Sequence, residues 1–233
     1  MTGVPLLLAV ETATAAPSVA LWRGDALLGE RAAEPGRATA EALLPALDAL
    51  LAEAGLALAA VEGFAVSIGP GSFTGLRIGV ATVKGLAFGT GRPAVAVSTL
   101  AAIAAHARGP RPVAAVLDAR RGEVYAAGFA GGVAADWLPE GVIAISALAA
   151  QLPPGCRVVG EGVPLCAEAL RGADAELAPP PYSETTARHV AALAAWAWPR
   201  GETVAPADLA PRYLRRAEAE VKRTGLRFER ERP

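Results

Sequence analysis

The sequence predicts a two-domain α/β protein built on mixed sheets, and two observations carry that prediction. The order strand-strand-strand-helix-strand-helix reads twice along the 233 residues, and the breaker Gly109-Pro-Arg-Pro112 separates the two passes. The expected boundaries are an N-terminal α/β unit at 1–108 and a second unit at 109–216, whose last helix can pack back on the first. A charged tail follows at 217–233.

The first unit opens with strands at 6–11, 18–23 and 26–31. A small polar turn, 12–17, joins the first two, and Gly24-Asp25 closes a hairpin between the second and third. A helix is expected at 39–54, where Leu43, Leu44, Leu47, Leu50 and Leu51 form an apolar stripe and Gly55 ends it. A buried strand at 64–68, a helix at 74–88, a strand at 94–97 and a helix at 99–107 complete the unit. The second unit has strands at 113–117 and 123–129, joined by Asp118-Ala-Arg-Arg-Gly122, where glycine makes a positive φ cheap. A third strand is expected near 133–138. Shorter signals follow at 146–151, 157–160 and 164–171, and a helix at 185–198 carries Leu193 and two tryptophans.

The stretch Gly69-Pro-Gly-Ser-Phe-Thr-Gly-Leu-Arg-Ile-Gly79 holds most of the local specificity. It is a loop feeding a helix, with Ser72 or Thr74 as the cap. Gly71, Gly75 and Gly79 recur every fourth residue and Gly85 follows, although each interior glycine costs a helix about 1 kcal/mol relative to alanine. Such a strip lets another backbone or a ligand approach closely. An anion-binding loop is the rival reading. The dinucleotide pattern would need glycine where Thr74 stands, and the Walker pattern glycine at Leu76 and lysine at Arg77, so tight helix packing is favoured.

A formal charge of -1 gives no hint of nucleic acid or membrane as partner. Cys156 and Cys166 match no metal or redox spacing and read as small, reduced apolar residues. Residues 4–10 lack a basic leader and are too short to span a bilayer, so a soluble, cytoplasmic protein is expected.

Several segments together resemble one family: Val10-Glu-Thr-Ala-Thr14, Leu43-Leu-Pro45, the 69–79 stretch, Val97-Ser-Thr-Leu100, Asp118-Ala-Arg-Arg-Gly-Glu-Val-Tyr125 and Pro211-Arg-Tyr-Leu-Arg215. They look like the TsaB (YeaZ) family of tRNA threonylcarbamoyladenosine biosynthesis proteins. The resemblance implies an actin/Hsp70/sugar-kinase (ASKHA) fold and a non-catalytic partner of TsaD, the subunit that transfers the threonylcarbamoyl group to the adenosine beside the anticodon. It implies the ATPase TsaE as a further partner, and tRNA as an indirect one.

Kinases of this fold hold phosphate on a first hairpin resembling Asp-x-Gly-Thr, whereas here the turn reads Glu11-Thr-Ala-Thr14. Glu11, Thr12, Asp118 and Gly122 are therefore weak candidates for ADP or ATP; Glu11 could hold a metal-bound water, but the Ala13 side chain would crowd a phosphate. For the second hairpin the competing account is a tight turn with a surface salt bridge. No cofactor is expected otherwise. TsaD relatives bind metal through His-x-x-x-His on a helix; the matching helix here begins Thr39-Ala-Glu41, and the histidines, His106 and His189, are far apart in sequence. Ser72 and Ser98 have no evident histidine base. An ATPase or phosphotransferase of the same fold is the alternative, and an M22-like metallopeptidase ranks below it.

The docking surface for TsaD is expected where the helices at 39–54 and 74–88 lie side by side, using Leu43, Leu47, Leu50, Gly75, Arg77, Ile78, Gly79 and Thr82. Gly79→Leu should block it, and the free chain should use the same surface for a homodimer. The segment 212–233 holds eight basic residues against four glutamates, so its tail could also touch tRNA.

Overall fold

The computed structural model describes residues 5–107, 109–178 and 187–215. Two mixed sheets are built in the same order. The first contains β1 (Leu7–Glu11), β2 (Ser18–Arg23), β3 (Ala26–Ala32), β4 (Gly63–Gly69) and β5 (Ala94–Ser98), arranged β3-β2-β1-β4-β5. β1, β2 and β3 pair antiparallel, and β1, β4 and β5 pair parallel. The second sheet contains β6 (Val113–Asp118), β7 (Glu123–Ala130), the two-residue β8 (Val133–Ala134), β9 (Gly141–Ala144), β10 (Cys156–Val159) and β11 (Ala175–Leu177). Its order, β11-β10-β6-β7 with β8 and β9 both on β7, repeats the first sheet when β9 takes the place of β3.

The helices make layers around these sheets. α1 (Thr39–Glu53) and α2 (Phe73–Thr90) cover one face of the first sheet, where Leu43, Leu47 and Leu50 meet Leu8, Val10 and Phe64. α6 (Ala187–Ala197) covers its other face, with Val190, Ala191 and Ala194 on Leu7, Ala9 and Ala65. β1 is therefore buried on both sides, which is why it reads as an unbroken apolar run with no alternation. α3 (Thr99–Ala105) packs Leu100 and Ile103 on the second sheet and touches α6, so these two helices lie between the sheets. The short α4 (Ile145–Leu148) and α5 (Val163–Cys166) close the outer face of the second sheet. This is the duplicated ASKHA arrangement that the resemblance implies.

Local rules decide the ends of α2 and the start of α3. Ser72 caps α2 by accepting from the Gly75 N–H at 3.2 Å, and Ser98 caps α3 by accepting from the Ala101 N–H at 3.3 Å. Gly91, at φ 65°, closes α2. α1 runs through Pro45, which costs an interior helix about 3 kcal/mol. Burying its leucine stripe offsets that cost, because each fully buried leucine contributes about 1.5–3 kcal/mol.

Four expectations change. The strand expected near 133–138 is only the two residues of β8, and the position equivalent to β3 is taken by β9; Trp137 lies over Gly128, where a Cβ would collide with its ring. β11, a three-residue edge strand, had no apolar run to announce it. The helix at 164–171 shortens to α5. The turn at 118–122 puts Arg120 and Arg121 as well as Gly122 at positive φ. The tail at 217–233 lies outside the described residues. Among those described, no helix is long and apolar enough to cross a membrane.

Candidate functional site

A cleft of about 470 Å³ separates the two sheets' first hairpins, with Ala13, Thr14 and Ser72 on one wall and Asp118, Arg120 and Tyr125 on the other. Its floor is the turn after β1. Glu11 is wholly buried there. Its Oε1 accepts the Ala13 and Thr14 N–H groups at 2.7 and 3.0 Å, and its Oε2 accepts the Ser67 hydroxyl at 2.7 Å. Burial pushes this carboxyl up to about 7, against the hydrogen bonds from Ser67, Ala13 and Thr14 that favour its charged form.

The turn is locked onto the start of α2. The Thr12 hydroxyl donates to the Gly75 carbonyl at 2.8 Å, and the Ser72 N–H donates to the Ala13 carbonyl at 2.8 Å. A side chain at Gly71, Gly75 or Gly79 would run into Ala13 or Thr12. The glycine strip is thus a close-approach surface, as its spacing suggests, but what approaches is this chain's own turn.

Across the cleft, Asp118 Oδ1 accepts the Arg120 N–H at 2.6 Å, and its other oxygen pairs with the exposed Arg120 guanidinium at 3.0 Å. That is a tight turn with a surface salt bridge. Burial and the charge of Asp118 raise the Tyr125 phenol above its ordinary value. Glu11 and Thr12, two of the four nucleotide candidates, are buried and committed to the turn, whereas Asp118 lines the cleft and Gly122 serves the turn beside it.

A strap, residues 209–215, packs behind the cleft against two residues that line it, Phe73 and Ala119, a task that its sequence motif did not reveal. The Arg212 N–H donates to the Ile68 carbonyl at 2.7 Å, and its guanidinium pairs with Glu140, which also accepts the Ser98 hydroxyl at 2.8 Å. Tyr213 stacks on Phe73 with centroids 4.7 Å apart. Arg215 pairs with Glu123 and donates to the Ala119 carbonyl. These partners lie far away in the chain, so no local pattern could have shown them.

The proposed docking residues divide. Leu43, Leu47 and Leu50 are 1–2 % exposed and belong to the core, and Gly75 and Gly79 are buried under Thr12. They offer no outward surface, because the sheet takes up the leucines and the β1 turn covers the glycines. Ile78 and Thr82 are half-buried; Arg77 is exposed but donates to the Tyr213 hydroxyl at 3.2 Å and lies over Phe73. The outward face of α2 instead carries Thr74, Ala81, Gly85 and Phe88, the last 78 % exposed, beside half-buried Ile78. Leu44 of α1 is exposed too. Phe88 falls off the buried stripe of α2, a signal that was present in the sequence, whereas Leu44 reads as part of the α1 stripe and only the structure shows it exposed.

His106 and His189, distant in sequence, come together with ring centroids 4.4 Å apart where α3 meets α6. Among the described residues no three His, Cys, Asp or Glu side chains converge as a metal site. Cys156 and Cys166 are free and buried, and burial pushes each thiol up to about 11.

Residues 32–162 match the family model described as TsaD, tRNA N6-adenosine threonylcarbamoyltransferase. The tRNA threonylcarbamoyladenosine biosynthesis protein TsaB of Escherichia coli K12 is 41% identical over 122 residues, covering 51% of this chain and 52% of the relative. The chain spans about half the length of such curated relatives. The solved structure of YeaZ from Pseudomonas aeruginosa is 35% identical with a TM-score of 0.75, covering 90% of this chain and 100% of that one. Another, described as an uncharacterized protein with similarity to peptidase YEAZ from Pseudomonas aeruginosa, is 36% identical with a TM-score of 0.79, covering 91% and 100%. The repeated sheets, the glycine-marked helix locked on the first hairpin and these matches agree: the chain belongs to the TsaB (YeaZ) family.

Proposed function

We propose that this chain is a non-catalytic activating subunit for threonylcarbamoylation of the adenosine next to the anticodon. It docks on a TsaD homologue, works with a TsaE homologue and meets tRNA indirectly. The observation that carries the reading is the outward face of α2, where Ala81, Gly85 and exposed Phe88 stand on a helix whose opposite face is already in the core. Ala81 and Gly85, four residues apart, let a partner helix come close, and Phe88 supplies apolar area at the end of the contact. The free chain uses the same face for a homodimer, which competes with the heterodimer.

Gly79→Leu no longer tests this, since a leucine there meets Thr12 inside the fold. Gly85→Leu does, because the space around a Cβ at 85 is open. The variant should keep or raise its thermal midpoint and lose binding and activation of the TsaD homologue; unchanged binding and activation would refute the docking surface. The peptidase wording attached to one similar structure favours a second reading, hydrolysis. Ser72 and Ser98 both serve as helix caps, which speaks against either as a nucleophile. Robust turnover of ATP with Mg²⁺, or of peptides, by the isolated chain would overturn the non-catalytic assignment.

A further inference from the structure

A turn seats a phosphate when its N–H groups converge on open space and no other anion stands there. The turn after β1 has convergent N–H groups, but the point they converge on is buried and already filled. The Ala13 and Thr14 N–H groups do converge, but on Oε1 of Glu11, at 2.7 and 3.0 Å. The next amide, Ala15, donates to the carboxylate of Glu161 at 3.1 Å, from the opposite side of the cleft. At the start of α2 the Ser72 N–H is taken by the Ala13 carbonyl and the Gly75 N–H by the Ser72 hydroxyl.

The second hairpin repeats the device. Asp118 ends β6 as Glu11 ends β1, and its carboxylate accepts the N–H two residues on, at 2.6 Å. In both halves of the duplicated fold a carboxylate at the end of the first strand folds back onto its own turn.

We infer that Glu11 is a built-in acceptor: its carboxyl group takes up the amides that would hold a nucleotide phosphate on the first hairpin, and so keeps phosphate-bearing ligands off that turn. The residues do not fit the phosphate of the nucleotide that kinases of this fold hold. The reason is the presence of a competing acceptor with full hydrogen-bond geometry, together with the Ala13 methyl packed between the turn and Gly71. Glu11 acts as a specificity-determining residue with no role in bond making. The inference is independent of the docking proposal, because it concerns the isolated chain.

The test uses inorganic phosphate and ADP as probes on the full chain, in chloride buffer matched for ionic strength. In the wild type the amide NMR signals of Ala13 and Thr14 should stay in place as either probe is added; a saturable shift of those two signals overturns the inference. Glu11→Ala vacates the seat and leaves two convergent donors. It should bind phosphate at least about tenfold more tightly than the wild type, the factor carried by one charge-assisted hydrogen bond. Glu11→Gln keeps an oxygen on the turn and should bind no better than the wild type. A folded Glu11→Ala that gains no phosphate affinity overturns the inference, as does a Glu11→Gln that gains as much. Should Glu11→Ala fail to fold in chloride, recovery in millimolar phosphate, too dilute for the general salt effect, supports the seat, and failure to recover overturns it.

Discussion

Alanine substitutions along α2 should have opposite signs at its two ends. A Cβ built on Gly75 falls 1.9 Å from the Thr12 carbonyl oxygen, whereas real Cβ atoms essentially never approach closer than 3.0 Å. The turn or the helix must therefore move by roughly 1 Å, and the obstructing atom is backbone, which cannot rotate away. Overpacking of this kind costs about 1–3 kcal/mol, and occasionally more. The better helix propensity of alanine returns about 1 kcal/mol. Because the obstacle is backbone, the overpacking cost lies at the upper end of that range, and the net loss for Gly75→Ala is about 2 kcal/mol, or roughly 4–8 °C in thermal midpoint at this chain length. At Gly79 the obstacle is the Thr12 hydroxyl, which can swing aside only by giving up its bond to the Gly75 carbonyl. The loss there should be about 1 kcal/mol, because a buried hydroxyl is left without a partner. A Cβ at Gly85 meets nothing within 4 Å, so Gly85→Ala should stabilise by about 0.5–1 kcal/mol. Urea unfolding of the three single variants decides the matter. A Gly75→Ala variant as stable as the wild type, or a Gly85→Ala variant less stable by 1 kcal/mol, would refute the claim that the early glycines exist to admit the β1 turn.

Two further outcomes concern the cleft and its strap. Burial raises the Glu11 carboxyl from 4.5 to about 7, so between those pH values the folded chain holds a proton that the unfolded chain has released. Stability from this group is fully present below pH 4.5 and falls as pH rises through about 7, with a slope of at most about 1.4 kcal/mol per pH unit. Urea midpoints of wild type and Glu11→Gln between pH 5 and 8 check it, and parallel profiles would show that Glu11 does not titrate there. Tyr213→Ala removes the ring stacked 4.7 Å from Phe73 and the acceptor of Arg77. It should cost roughly 1–2 kcal/mol and speed amide exchange in 69–73, while unchanged exchange would mean that the strap does not hold the start of α2.

By itself the sequence determined the architecture, because that rests on short-range physics. Apolar runs in β1 and β4, the leucine spacing of α1 and the breaker at 109–112 announce elements within a few residues of themselves, and their repetition announced two equivalent sheets. It also showed that the glycines of α2 serve close approach. Which surface approaches them was settled only by the tertiary structure. Thr12 and Ala13 reach α2 because β4 pairs beside β1, a non-local fact absent from either segment. The same holds for Leu43, Leu47 and Leu50 of α1, read as docking residues although the sheet beneath them takes all three into the core. Glu11 looked like an exposed ligand residue because an acidic side chain at a strand end usually reaches water. The fold instead encloses it among Ser67 and the amides of its own turn, where three donors make burial affordable, and only long-range packing could bring those groups together.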